Sequence, residues 1–174
     1  MKKALILPAS TEDAHTLASL INTSYRGDEA KHSWTNEASL LTGTRTSQED
    51  LVELLSDPRS IILKVVKENE IIACVHLETQ LPDIHLNLLT VHPRYQNKGL
   101  GKILLKAAEG YAFQQNACSI HLQVISERTE LINWYKKQGF QIIGELQPFP
   151  THTINGIPLK PLQLASMRKM LTNE

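Results

Sequence analysis

The sequence predicts an α/β domain built on one mixed sheet of about seven strands. Two observations carry this. Three β-branched, apolar runs follow one another between residues 61 and 91, too close together for helices to separate them. After them the pattern changes to helix, strand, helix and two strands, which is the spacing of crossover connections. A doubly wound dinucleotide fold is excluded, because no strand near the start runs into Gly-x-Gly-x-x-Gly and a helix. At 174 residues the chain suits one domain with a real core.

Residues 3–7 read as the first strand. Ser10-Thr11-Glu12-Asp13 has the form of a capping box, and Ala14, Leu17, Ala18, Ile21 and Tyr25 then recur at helical spacing. Residues 26–46 are polar and irregular. Ser47-Gln48-Glu49-Asp50 caps a second helix, and Asp57-Pro58 stops it near Leu55. Ile61–Val66 and Ile71–Leu77 form a hairpin across Lys67-Glu68-Asn69-Glu70, and Ile84–Val91 is the third strand of this block. Leu100, Ile103, Leu104, Ala107, Ala108 and Tyr111 make a long helical stripe. Ile120, Leu122 and Val124 alternate as a strand. Thr129–Gln138 is a short helix closed by Gly139. Phe140–Ile143 and Leu162–Met167 are the last strands, joined by a segment stiffened by Pro148, Pro150, Pro158 and Pro161.

Composition narrows the function. Lysine plus arginine equal aspartate plus glutamate at 18 each, so nothing in the net charge draws the chain to nucleic acid or an anionic membrane. The two cysteines, Cys74 and Cys118, lie in apolar runs and read as buried free thiols, without disulfide or metal-ligand spacing. Lys2-Lys3 before Ala4–Leu7 resembles a signal peptide only until Pro8 breaks the run. No stretch reaches the ~18 apolar residues of a membrane-spanning helix. The expectation is a cytoplasmic protein with no metal.

The strongest local signal is the junction after the third strand. Leu86–Val91 runs into His92-Pro93-Arg94-Tyr95, then Gln96-Asn97-Lys98-Gly99-Leu100-Gly101-Lys102, and a helix begins at once. A helix N-terminus leaves about four backbone N–H groups unpaired and carries roughly half a positive charge. Glycines there let a pyrophosphate approach the backbone, and Lys98 and Lys102 add positive charge. Gln96-x-x-Gly99-x-Gly101 at a strand-to-helix junction resembles the hallmark of the GNAT acyltransferase superfamily. Leu131-Ile-Asn-Trp-Tyr135-Lys-Lys-Gln-Gly139-Phe140 is similar to a second segment of that family, and the order of elements agrees along nearly the whole chain.

The resemblance implies a single GNAT-like N-acetyltransferase domain over residues 1–174, its mostly antiparallel sheet covered by helices on both faces. It implies acetyl-CoA as cosubstrate. Gln96, Asn97, Lys98, Gly99, Leu100, Gly101 and Lys102 would cradle the pyrophosphate. The backbone of Leu89, Thr90 and Val91 would pair with the pantetheine arm. Arg128 stands where the family often has asparagine, seven residues before Tyr135, which puts one pantetheine contact in question.

Amine acetylation by direct attack needs a held thioester, a neutral amine, donors for the developing oxyanion and an acid for the leaving thiolate. The resemblance makes Tyr135 that acid. His85 is the candidate base, because an imidazole titrates near neutrality, with Asn87 beside it to orient substrate and Glu78 as a second candidate. His121 and Gln123 on the next strand are expected to line the same cleft. Alternation fails at Leu88-Leu89, which suggests either a β-bulge or a strand buried on both faces. The family's acceptor usually sits against the segment joining the first two helices, here Arg26–Thr46. In it Trp34, Glu37 and Arg45 are the substrate candidates, Glu37 for an ammonium and Arg45 for a carboxylate; the alternative is that those two charges pair with each other or with solvent. The partners expected are acetyl-CoA and a small polar primary amine, with no nucleic acid or membrane and a homodimer left open. The alternatives are a protein N-terminal or lysine acetyltransferase and a catalytically idle acyl-CoA-binding module.

Overall fold

The computed structural model describes residues 4–27, 36–150 and 156–172. Strand β1 (Leu5–Pro8) leads through a 3-10 turn into helix α1 (Ala14–Tyr25). The short strand β2 (Leu41–Thr42) precedes α2 (Gln48–Ser56). Then come β3 (Ser60–Lys67), β4 (Glu70–Gln80) and β5 (Asp83–Val91). Helix α3 (Leu100–Gln114), strand β6 (Ser119–Ile125) and helix α4 (Thr129–Lys137) follow. Strands β7 (Gln141–Pro148), β8 (Ile157–Pro158) and β9 (Gln163–Met170) complete the chain.

Local chemistry sets the boundaries. The Ser10 amide bonds Asp13 Oδ2 at 2.9 Å, and Ser47 and Asp50 exchange side-chain and backbone bonds at 2.9 and 3.1 Å, so both predicted caps form. Glu68 and Asn69 take positive φ of 52° and 68° and close the β3–β4 hairpin over two residues. Gly139, at φ 93°, turns the chain out of α4.

Seven strands form one sheet in the order β1-β3-β4-β5-β6-β9-β7, and β2 and β8 form a separate two-stranded ribbon. Every neighbouring pair is antiparallel except β5 and β6. Helix α1, with Leu51 of α2, packs on one face around Ile62, Cys74 and Leu88. Helix α3 covers the other face through Leu104, Leu105 and Ala108, joined by Ile132 and Tyr135 of α4. The mixed, mostly antiparallel sheet with helices on both faces is the architecture the sequence predicts. No helix among the described residues is long and apolar enough to cross a membrane.

Two readings need correction. Cys74 is buried, but Cys118 is exposed. It sits in the link between α3 and β6, where its amide and carbonyl bond Pro82 and Leu171, so its backbone is held while its side chain faces out. The β2–β8 ribbon runs through segments the sequence reads as irregular.

Candidate active site

Strands β5 and β6 pair only from Asp83 to His85, against Ser119 to His121. Beyond that point β6 keeps its other neighbour, β9, while β5 keeps β4. The sheet therefore forks, and the fork opens a cleft of about 230 Å³ between Leu86–Leu89 and Leu122–Ile125.

At the fork β5 carries an irregularity. Cys74 pairs with Thr90 and His76 with Asn87, so Val75 faces two residues, Leu88 and Leu89. This is the bulge suggested by the failed alternation, and it coexists with burial of every residue from Leu88 to Val91. Leu88 adopts φ 52°, a left-handed conformation that costs a residue bearing Cβ about 1–2 kcal/mol. Side chains take both carbonyls of the bulge. Thr90 Oγ1 donates to Leu88 O at 2.8 Å, and Tyr25 OH donates to Leu89 O at 2.8 Å. Two residues on, Gln96 Nε2 donates to Val91 O at 2.9 Å.

The glycine loop lies at one end of β5. A 3-10 turn, Pro93–Tyr95, brings the chain round, and Asn97 (φ 60°) and Gly99 (φ 81°) are both left-handed. Gly99 O accepts the first helical bond of α3, from Ile103 N at 3.1 Å. A Cβ on Gly99 would meet nothing within 4 Å, so conformation rather than crowding calls for glycine there. The space beside it, about 380 Å³, is bounded by Gln96, Asn97, the Gly99–Lys102 turn and Val91, with Glu130 and Trp134 of α4 opposite. Lys98 lies against the Tyr95 ring, 5.4 Å from its centroid, and Lys102 is exposed. The loop thus offers the start of α3, open space and Lys102 to an anion.

Tyr135 is where α4 meets the cleft. It is 5% exposed, packs edge-on against Trp134 (5.0 Å) and Phe140 (5.4 Å), and lines the cleft. Its hydroxyl makes no hydrogen bond among the described residues. Burial drives its ionisation well above the ordinary phenol range, so it stays protonated at neutral pH.

The other end of the cleft is charged. Arg26 pairs with Glu37 at 3.0 Å, and Arg128 Nη1 lies 3.9 Å from the same carboxylate, all three side chains largely buried. Glu37 is therefore engaged by two guanidinium groups, neither of them Arg45. Arg128 caps α4 from the cleft wall, where it meets Glu37. Arg45 has no ion pair and no side-chain hydrogen bond among the described residues; its guanidinium stacks 5.6 Å above the Tyr25 ring. It borders both the cleft and a second space of about 390 Å³, as do Asn87 and Leu88. That second space is acidic, lined by Asp50, Glu53, Asp57 and Glu78 around buried His76. Trp34 lies outside the described residues.

His85 sits at the fork but not in the cleft. Its ring faces that of His121 at 4.7 Å, and the two are the last paired residues of β5 and β6. His121 stays outside the cleft as well, whereas Asn87 and Gln123 line it. Burial, then the charges of His85 and Arg168, hold His121 below its ordinary value. The structure thus brings together Tyr135, Asn87, Leu89, Arg45, Glu37 and Arg128, and separates His85 from them. Sequence reasoning missed Tyr25, Arg26 and His76. The first reads only as part of a helical stripe, and no linear motif marks the other two.

The comparisons with known proteins agree with this geometry. Residues 17–140 match the model of the Acetyltransferase (GNAT) family. A spermine/spermidine N(1)-acetyltransferase of Bacillus subtilis is 36% identical over 64 residues, 36% of this chain and 42% of that protein, so the match spans less than half of it. Among solved structures, an N-acetyltransferase from Staphylococcus aureus Mu50 superposes with TM-score 0.75 at 17% identity, covering 99% of this chain and 100% of that one. The ribosomal-protein-S18-alanine N-acetyltransferase of Escherichia coli gives 0.72 at 16%, with 99% and 96% covered. The PaiA N-acetyltransferase of Thermoplasma acidophilum, solved with coenzyme A, gives 0.69 at 20%, with 97% and 99% covered.

Proposed function

We propose that this chain, which belongs to the acetyltransferase (GNAT) family, is an N-acetyltransferase that transfers acetyl from acetyl-CoA to the primary amine of a small polar molecule, by direct attack without an acyl-enzyme. The observation that carries the reading is the forked cleft itself. The bulge, Tyr135 and Arg45 all line it, and a separate space beside the glycine loop begins at Val91 and Trp134, next to the cleft's Leu89 and Tyr135.

In this reading the Gly99–Lys102 turn holds the pyrophosphate and the cleft edge of β5 lies along the pantetheine arm. The neutral amine attacks the thioester carbonyl, a C–N bond forms, the C–S bond breaks, and Tyr135 gives its proton to the departing thiolate. Asn87 orients the amine. His85, two residues away on the same strand, takes the amine proton through solvent. Arg45 receives a carboxylate of the acceptor, because a guanidinium at the cleft wall with no ion pair among the described residues can donate a charge-assisted bond to an anion. The Arg26–Glu37–Arg128 cluster braces the far wall.

A second acceptor reading rests on the acidic space beyond Arg45. Four carboxylates line it, Asp57 and Glu78 beside Arg59, and Asp50 and Glu53 facing a prospective polycation, and the Bacillus subtilis relative is named for spermine and spermidine. Thiol release from acetyl-CoA discriminates, with an α-amino acid, its amide, spermidine and a peptide with a free N-terminus as acceptors. The amino acid should be the fastest acceptor, and Arg45→Met should raise its KM about tenfold or more while leaving the KM for acetyl-CoA alone. Fastest turnover of spermidine would hand the site to the second reading. Fastest turnover of the peptide would point to a protein acceptor, and none at all to an idle acyl-CoA-binding module.

A further inference from the structure

One buried tyrosine outside both family motifs ends on the bulge. Tyr25 closes α1, on the opposite side of the fork from Tyr135, and is 9% exposed. Its ring forms part of the cleft wall and carries the Arg45 guanidinium on its face. Its hydroxyl reaches across 64 positions of sequence to Leu89 O. The neighbouring carbonyl, Leu88 O, is taken by Thr90 Oγ1, and Leu88 itself is left-handed without being glycine. A strained backbone of this kind persists only where its surroundings over-determine it. Here two buried hydroxyls fix consecutive peptide units. Burial pushes the Tyr25 phenol up to about 12, against the pull of Arg45, so it stays a donor across the working range.

We propose that Tyr25 is a positioning residue for acetyl transfer: its phenol, with Thr90, clamps the Leu88–Leu89 bulge in the shape that meets the acyl thioester. This rests on the reading of the cleft as the thioester site. Tyr25 touches the reacting atoms only through the backbone it holds. Misplacing a reacting group by about 1 Å can cost on the order of a hundredfold in rate. Loss of the clamp should therefore appear in kcat rather than in acceptor KM.

Tyr25→Phe keeps the ring, its packing and the stack under Arg45, and removes only the donor. Two readouts are needed. Amide hydrogen exchange should accelerate over residues 88–91 in the variant and stay unchanged in β3, which reads the clamp without any need for turnover. With the best acceptor of the panel, kcat should fall about 10- to 100-fold while acceptor KM changes less than about twofold. Thr90→Val should act on the same bulge, so the double variant should lose less than the product of the single losses. Unchanged exchange over residues 88–91 overturns the clamp. Faster exchange with parental kcat overturns the catalytic role and leaves Tyr25 a packing residue. If the parent protein releases no thiol with any amine, the reading of the cleft fails, and the positioning role falls with it even where exchange responds.

Discussion

At Tyr135 a phenol is held between Trp134 and Phe140 with its hydroxyl free to meet a ligand in the cleft. Tyr135→Phe keeps that packing, so stability should change little. Losing a positioned general acid typically costs about 10²–10⁴-fold in rate, and kcat should fall within that range while acetyl-CoA affinity stays parental. Parental turnover would return Tyr135 to the core. The pH dependence follows in sign. Burial raises this phenol above its ordinary value near 10, so the acid stays protonated throughout the neutral and moderately alkaline range. A kcat profile should show no alkaline loss below about pH 10 that Tyr135→Phe removes. Residues of this kind differ in how legible they are. Tyr135 and Gly99 stand in spaced motifs that can be read on the line. Tyr25 and Arg26 owe their roles to contacts with Leu89 and Glu37, 64 and 11 positions away, which no spacing encodes.

Strand β5 shows how far element-scale reading reaches. Two adjacent leucines betray the bulge, because alternation cannot bury both without a change of register. The left-handed turn at Leu88 leaves no such mark, since nothing in the sequence substitutes a glycine there. The caps of α2 and the hairpin turn are local and were fully readable, whereas β2 and β8 have two residues each, too few to show a period. Cys118 is a similar case: its apolar neighbours suggest burial, but it stands exposed in the link between elements. The partner strand β4 carries a testable consequence. His76 is 3% exposed and bonds Ser60 Oγ at 3.0 Å. Burial holds it below its ordinary value, outweighing the upward pull of Glu78 and Asp57. The unfolded chain therefore binds a proton near pH 6.5 that the native protein refuses, and stability should fall as pH drops through that region. Urea unfolding between about pH 7.5 and 5.5 should show a smaller acid loss in His76→Gln than in the parent. Equal losses would mean that His76 is not kept neutral by the fold.

At the scale of the molecule, one parallel pair in an otherwise antiparallel sheet makes the site. Because β5 and β6 part after His85 and His121, each keeps a neighbour on one side only, and the gap is lined from both faces: α1 and the Arg45 segment on one, α4 on the other. The succession of strands and helices along the chain is legible from periodicity and motif together, but the sheet order, with β9 between β6 and β7, has no mark in the sequence. The charge pattern at the charged end of the cleft is not legible either, because the pairing of Glu37 with Arg26 and Arg128, and the stacking of Arg45 on Tyr25, depend on which loops the sheet brings together. If the loop and cleft hold acetyl-CoA, calorimetric titration of acetyl-CoA into the parent and Gly99→Val will separate the two proteins. Valine cannot adopt φ 81° without strain, whatever room surrounds it. The parent should bind one acetyl-CoA per chain, and Gly99→Val, folded by circular dichroism, should bind about tenfold more weakly or worse. Equal binding by the two proteins, or none by the parent, would mean that acetyl-CoA does not sit on this loop.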